Sequence, residues 1–162
     1  MSLSLKGYWP SIVLTAAAVT VWIIGKPVAH ALAVSSAAAW YIVLLYHFAH
    51  ANIFHLICNL MGLWPFRPRW ITVMVAYVCS SLSALLLMAF YPGYGPVCGM
   101  SALLFAAFAR RYASWKKPVW KIILFNVPFI FIPQVDGLLH LLSFFTSYAV
   151  WKVVLTCREK RP

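Results

Sequence analysis

Residues 91–105, YPGYGPVCGMSALLF, run from a segment rich in Gly and Pro directly into an unbroken apolar segment, with Ser101 at the junction. Gly and Pro at this density predict irregular backbone, whereas the apolar residues that follow predict the start of a helix. Irregular backbone cannot face hydrocarbon, because its N–H and C=O groups would lack partners there. We therefore expect Ser101 to lie at the mouth of a helix, beside a water-filled cavity.

The composition of the whole chain indicates a membrane protein. Of its 162 residues 64% are hydrophobic and 9% are charged, and the mean hydropathy is +0.88. This leaves too little polar surface to cover a soluble globule. The net charge of +11 does not indicate nucleic acid, because the basic residues form short clusters between apolar segments. The cysteines lack metal-finger spacing, and we interpret them as small apolar side chains rather than a disulfide framework or zinc site: Cys58, Cys79, Cys98 and Cys157.

Six apolar segments have about the length needed to cross a bilayer, and they predict an all-α polytopic membrane protein in which residues 1–162 form a single domain. Their approximate bounds are 9–25, 52–66, 70–90, 99–112, 118–133 and 137–155. With six spans, every Lys and Arg except Lys26 falls on one side of the membrane, so the positive-inside rule places both termini in the cytoplasm. Loops 91–98 and 133–136 contain no basic residue and would face outward.

The apolar segment 28–49 leaves an alternative open. It is apolar enough to be a seventh span, and an outside N-terminus with seven helices would exchange only Lys6 for Lys26 on the basic side. The N-terminal apolar segment and AHALA, residues 29–33, also imitate a signal peptide with a cleavage site. The Lys26-Pro27 pair between them weakens that likeness, so we expect no cleavage.

Five polar residues are predicted to share one depth layer near the outer face. Ser101 follows one outward loop and His140 follows the other, whereas His50, His55 and Asn59 fall at the start of the second segment. His55 and Asn59 are four residues apart and would share a helix face, whereas the spacing of five assigns His50 to the loop or to another face. Polar side chains at this depth need partners or water. Their placement therefore predicts a hydrated site that opens outward.

Serine and histidine are the remaining candidates for chemistry at this layer. The chain has only two carboxylates, Asp136 and Glu159, which excludes an HExxH metalloprotease, a paired-aspartate protease and a carboxylate-rich metal or sugar site. Asp136 could complete a triad, but we expect it to cap the sixth helix. His140 would act as general base for Ser101. The backbone N–H of Ser101 and the side chains of His55 and Asn59 would donate to the oxyanion.

The motifs HANIFHLICN (50–59), GMS (99–101) and GLLH (137–140), in this order, resemble the rhomboid intramembrane serine proteases. The resemblance covers approximately residues 9–155 and implies a six-helix bundle with a membrane-embedded first outer loop, residues 26–50. It implies a catalytic dyad of Ser101 and His140, with no cofactor or metal. The other residues that it assigns are the oxyanion residues His55 and Asn59, the supporting residues His50 and Gly99, and Phe105 at the position of a tyrosine that stacks on the histidine.

The resemblance also implies the substrates and the place of action. Single-pass transmembrane proteins would be cut near the outer face, after entering past the second and fifth helices. Pro128 and Asn126 are expected to loosen the fifth helix. The small size favours a bacterial inner membrane, and the oligomeric state stays open.

The sequence departs from the family pattern at four places: Ala102 replaces a Gly, Trp40-Tyr41 replaces a Trp-Arg pair, and Ser143 and Ser147 replace glycines. The serines still allow close helix contact.

Two other functions are compatible with the sequence. One is a rhomboid-like protein that binds membrane clients without cutting them. Loss of Ser101 or His140 from the sequence would have indicated this function, and both residues are present. The other is a haem or metal membrane protein that uses the five histidines, although no two pairs face each other at matching depth.

Overall fold

The computed structural model describes residues 5–115, 118–130 and 136–159, and within these ranges the chain is helical, without strands. The α-helices are α1 (Trp9–Ile24), α2 (Lys26–Ala31), α3 (Ile53–Phe66), α4 (Trp70–Phe90), α5 (Ser101–Trp115), α6 (Trp120–Ile130) and α7 (Gly137–Glu159). Six of them coincide with the six apolar segments, and α2 is an additional short helix. The predicted all-α fold is confirmed for the described ranges.

The helix ends follow from local backbone chemistry. α1 ends before Gly25, whose φ of 108° is left-handed, and α5 begins at Ser101 rather than at the predicted residue 99 because Gly99 has a φ of 121°. The side chain of Asp136 accepts the backbone N–H of Leu139 at 2.8 Å, which confirms its prediction as the cap of α7. α7 extends to residue 159, beyond the predicted 155. Residues 131–133 of the fifth segment lie outside the described residues.

α5 is the centre of the bundle. It packs most extensively against α7 and α4, which also contact each other, while α6 packs against α7 and α1 packs against α3. Five alanines of α5 are buried, which lets its neighbours approach closely: Ala102, Ala106, Ala107, Ala109 and Ala113. Ser143 and Ser147 of α7 are fully buried. α5 and α7 are in extensive contact, and the part of these two serines in that contact stays a prediction.

The bundle exposes apolar side chains and buries small polar ones. Phe54 is 76% exposed and Met61 69% exposed on α3, whereas Ser80 and Ser83 of α4 are fully buried. A water-soluble protein rarely shows this much apolar surface, but a bilayer solvates it. Among the described helices, α4 and α7 are long and apolar enough to cross a membrane, and α1 and α3 are shorter apolar helices. A crossing by all six helices stays a prediction.

The segment 28–49 does not form one long helix. After α2 the chain becomes extended, and Val34 pairs with Val97 through two N–H···O=C hydrogen bonds of 2.8 Å. Short 3₁₀ turns follow at Trp40–Leu44 and Tyr46–Phe48. Such a broken segment does not provide the continuous helix that a seventh span requires. Trp40 and Tyr41 are exposed, and the embedding of this loop in the membrane stays a prediction.

Candidate active site

The N-terminal ends of α3, α5 and α7 meet at one end of the bundle, here called the site end. At this end Nε2 of His140 lies 2.7 Å from Oγ of Ser101, although 39 residues separate them in sequence. His140 is only 3% exposed, whereas Ser101 at the start of α5 is partly exposed. The pair can transfer a proton along its hydrogen bond, and the serine side of it is open to a substrate.

Phe105 holds the imidazole of His140 in a fixed plane. Its ring lies nearly parallel to the His140 ring, at an angle of 6° and with 4.5 Å between the ring centroids. Phe105 lies one turn after Ser101 on α5, so the same helix supplies the serine and the stacking surface. The stack restricts rotation of His140 away from Ser101.

Asn126 is a site residue whose role the sequence interpretation missed. It was expected to loosen the fifth helix, but the structure shows it fully buried and tied to α7. Its Nδ2 donates to the carbonyl of Gly137 at 2.6 Å, and its Oδ1 lies 3.2 Å from Nδ1 of His140. An apolar helix that carries one buried amide is the signal that could have pointed to this residue, because a polar group in such a helix needs a partner.

The loop before Ser101 is packed directly on His55. A side chain at Gly99 would have its Cβ 2.7 Å from Nε2 of His55, which is closer than real Cβ atoms approach. Asn52 caps α3 by accepting the backbone N–H of His55 at 2.9 Å, which sets the first turn of that helix. His55 therefore lies beside the residues that lead into Ser101.

Asn59 and His50 flank His55. Asn59 is buried, and its Nδ2 has no hydrogen-bond partner among the described residues, which leaves a donor available. His50 lies in the loop before α3, where its Nδ1 is 3.2 Å from the carbonyl oxygen of Phe48. The ring of His50 meets the ring of His55 edge to face at a centroid distance of 5.2 Å.

The first loop is fastened to the segment that carries Gly99. Besides the Val34 to Val97 pair, the N–H of Ser36 donates to the carbonyl of Tyr94 at 2.9 Å, and the N–H of Gly99 donates to the carbonyl of Tyr46 at 3.0 Å. These bonds supply the partners that irregular backbone needs in an apolar setting.

Two histidines of the first loop are kept neutral by burial. Desolvation lowers the pKa of His47 to about 3, and its Nε2 lies 3.1 Å from Oγ of Ser81 on α4. Burial, together with nearby His55, lowers the pKa of His50 to about 4. Both residues therefore act as neutral hydrogen-bonding groups at neutral pH. Among the described residues, no three His, Cys, Asp or Glu side chains lie together as metal ligands would.

A family model described as the Rhomboid domain matches residues 37–156, which extend from the first loop to three residues before the end of α7. The chain belongs to the rhomboid family. Searches of curated proteins and of solved structures gave no significant match. Membership in the rhomboid family, together with the apolar outer surface, makes the chain an integral membrane protein.

In this rhomboid the four departures from the family pattern fall at different places. Ala102, directly after the serine, is buried in the α5 packing, and Ser143 and Ser147 are buried on α7. Trp40 and Tyr41 are exposed on the first loop, where their rings form a T-shaped pair. None of these departures removes a group that contacts Ser101 or His140.

Proposed function

We propose that this protein is an intramembrane serine endopeptidase that cuts transmembrane segments of other membrane proteins near the outer face. One observation carries the proposal: the 2.7 Å approach of Oγ of Ser101 to Nε2 of His140 at the open end of a membrane protein of the rhomboid family. Serine and histidine at this distance form a nucleophile and its general base.

The reaction would proceed in two stages. Ser101 Oγ attacks the carbonyl carbon of the scissile peptide bond while its proton passes to Nε2 of His140. The same proton then goes to the leaving amine nitrogen as the C–N bond breaks, which leaves an acyl group on Ser101. His140 next takes a proton from a water molecule that attacks the ester, and it returns that proton to Oγ of Ser101 as the acid product leaves.

The negative oxygen of each tetrahedral intermediate would be stabilised from two sides. The backbone N–H of Ser101 belongs to the first turn of α5, where the helix dipole favours negative charge. His55 and the unpartnered Nδ2 of Asn59 would donate from α3. His50, Gly99 and Phe105 would support these groups, since they contact His55 or His140.

The proposed topology has six spans in a single domain of residues 1–162, with both termini in the cytoplasm and the site end facing outward. The basic loop after α3 and Arg110 and Arg111 near the end of α5 lie at the opposite end of the bundle, in accord with the positive-inside rule. A bacterial inner membrane is the proposed location. No cofactor and no nucleic acid take part.

Single-pass transmembrane proteins are the proposed substrates, entering past α3 and α6. In a helix the scissile carbonyl already accepts a hydrogen bond from its own chain, so it must be freed before Ser101 can attack. We therefore expect a small residue at the cut and a helix that unwinds easily there.

The test combines labelling and proteolysis in purified protein. A fluorophosphonate probe should label the wild type and fail to label Ser101→Ala and His140→Ala, and mass spectrometry should find cut ends within transmembrane substrates for the wild type alone. Equal labelling of the wild type and Ser101→Ala would refute the proposal. Client binding by the wild type without cleavage products would instead support a non-enzymatic rhomboid-like protein.

A further inference from the structure

Asn126 joins α6 to α7 at the point where His140 faces the serine. The amide has two partners in opposite directions: the carbonyl oxygen of Gly137 lies 2.6 Å from Nδ2, and Nδ1 of His140 lies 3.2 Å from Oδ1. The side chain is fully buried, so water does not compete for either bond.

These contacts determine which nitrogen of His140 carries the proton. A carbonyl oxygen only accepts, so the NH₂ group of Asn126 must face Gly137 and its oxygen must face His140. An amide oxygen also only accepts, so Nδ1 of His140 must donate to it. In a neutral imidazole Nε2 is then the acceptor, and Nε2 is the atom that lies 2.7 Å from Oγ of Ser101.

We propose that Asn126 is a positioning residue that selects the tautomer and the ring orientation of His140 required for deprotonation of Ser101. The inference rests on the proposed serine protease function. Because the amide is neutral, it orients the imidazole without adding a charge that would stabilise the imidazolium. The expected gain in the rate of Ser101 deprotonation comes only from the orientation and the tautomer of the His140 ring.

Two substitutions separate this role from a structural one. Asn126→Leu keeps the size of the side chain and removes both bonds, so we expect kcat and the rate of fluorophosphonate labelling to fall by about 10²-fold, with KM nearly unchanged. Asn126→Asp should retain activity within about fivefold, because burial favours the neutral carboxyl group, whose O–H donates to the carbonyl of Gly137 while its other oxygen accepts from Nδ1. Ile122→Ala, one turn earlier on the buried face of α6, is the packing control. It should lower Tm and leave kcat within about twofold.

The tautomer itself can be measured by ¹⁵N NMR of histidine-labelled protein. The wild type should show His140 protonated at Nδ1, and Asn126→Leu should show loss of this preference. If the wild type is labelled at Ser101 but Asn126→Leu is labelled equally fast, the role of Asn126 is refuted while the protease function stands. Absence of labelling in the wild type would refute the function itself. A parallel loss of kcat in Ile122→Ala at a matched drop in Tm would assign Asn126 a structural role only.

A second feature lies at the opposite end of the bundle. A cavity of about 360 Å³ opens between the C-terminal end of α3, the start of α4 and the end of α5. Four arginines line it, Arg67, Arg69, Arg110 and Arg111, together with Thr72 and Ser114.

Two of the arginines around this cavity contact neutral groups. Arg110 donates to Oγ1 of Thr72 at 2.6 Å and lies over the ring of Trp151, and Arg67 lies over the ring of Tyr8. The sequence has two acidic side chains, and one of them, Asp136, lies at the site end, away from this cavity.

Planar guanidinium groups bind phosphate oxygens in a bidentate manner, and hydroxyls accept or donate as needed. We infer that this cavity binds a phosphate group, and the proposed cytoplasmic position would present it to the head groups of anionic phospholipids. A phosphate bound here would offset the mutual repulsion of the arginines and would join α3, α4 and α5. This inference does not depend on the protease function.

Thermal unfolding of the full chain in uncharged detergent tests the site. Phosphatidylglycerol should raise Tm by several degrees, and phosphatidylcholine should not. A rise with inorganic phosphate as well would identify a soluble phosphate ligand, whereas a rise with phosphatidylglycerol alone identifies the lipid. Arg69→Gln combined with Arg110→Gln should abolish the rise, and Lys121→Gln combined with Lys152→Gln, outside the cavity, should keep it. No rise, or equal loss in both double variants, would refute the site.

Discussion

Substitution of Gly99 by Ala tests whether the loop before Ser101 sets the position of His55. Two costs arise at this residue. The φ of 121° is disfavoured for any residue with a Cβ, at about 1–3 kcal/mol, and the new Cβ would lie 2.7 Å from Nε2 and 3.3 Å from Nδ1 of His55. Both distances are shorter than ordinary contact, so the imidazole must move.

Displacement of His55 would remove one donor to the oxyanion. Loss of one such donor lowers kcat by about 10²–10³-fold, so Gly99→Ala should lose activity in that range and stability by about 1–3 kcal/mol. The assay is cleavage of a transmembrane substrate at saturating concentration, with Tm measured in the same detergent. KM should change little, because the oxyanion forms only after binding.

Gly93→Ala is the matched control. Gly93 also has a positive φ, 81°, but a Cβ there meets no atom within 4 Å. It should therefore show the backbone cost in Tm and keep kcat within about twofold. A loss of kcat in Gly93→Ala as large as in Gly99→Ala would mean that loop strain, not contact with His55, controls activity.

A double-mutant cycle completes the test. If Gly99→Ala acts through His55, it should add little to the loss already caused by His55→Ala. Independent, multiplicative losses of kcat in the double variant would refute the reasoning.

Three further predictions concern neighbouring groups. Unfolded chains protonate histidine near pH 6.5, whereas burial keeps the pKa of His50 at about 4, so this residue should lower stability as pH drops from about 6.5 to 4, by about 1.4 kcal/mol per pH unit at most. His50→Gln should remove this part of the slope in urea unfolding, and the part due to buried His47 should remain. Phe105→Ala should lower kcat by about 10-fold or more because the His140 ring loses its stacking surface, while Phe105→Tyr should remain active in the same cleavage assay. Asp136→Ala should cost about 1 kcal/mol of stability through loss of the α7 cap, and Asp136→Ser should restore it. A large loss of kcat with unchanged Tm in Asp136→Ala would contradict its assignment as a cap.

Much of the fold was predictable because apolar segments in a membrane protein are long and the charges between them are few. The segment bounds match the helices within a few residues, and the one ambiguous segment, 28–49, required pairing information that the sequence does not contain. Val34 pairs with Val97 across more than sixty residues of chain, and this long-range contact accompanies the extended backbone at Val34 between the short helical turns.

The candidate site was predictable only in part. The depth of Ser101 and His140 follows from their positions relative to the loops, since helix rise converts sequence distance to depth. Their rotation about the helix axes does not follow from spacing alone. For the same reason, the contact of Asn126 with His140 could not be predicted, because the rotation of α6 against α7 decides whether a buried amide faces its neighbour or lipid.

The different roles of Asp136, which caps α7, and Asn126, which contacts His140, follow from the cost of burying charge. A carboxylate enclosed beside His140 would pay a desolvation penalty of several kcal/mol, which the attraction to a neutral imidazole does not offset. The desolvation cost of an amide is far smaller when both of its ends are hydrogen-bonded, as those of Asn126 are. Asp136, which is only partly buried, instead lies at the start of α7, where backbone N–H groups and the helix dipole favour a negative charge. Within an apolar bundle, a neutral third residue is therefore better suited than a carboxylate to orient the histidine of a serine–histidine pair. A carboxylate is better placed at the partly exposed start of α7.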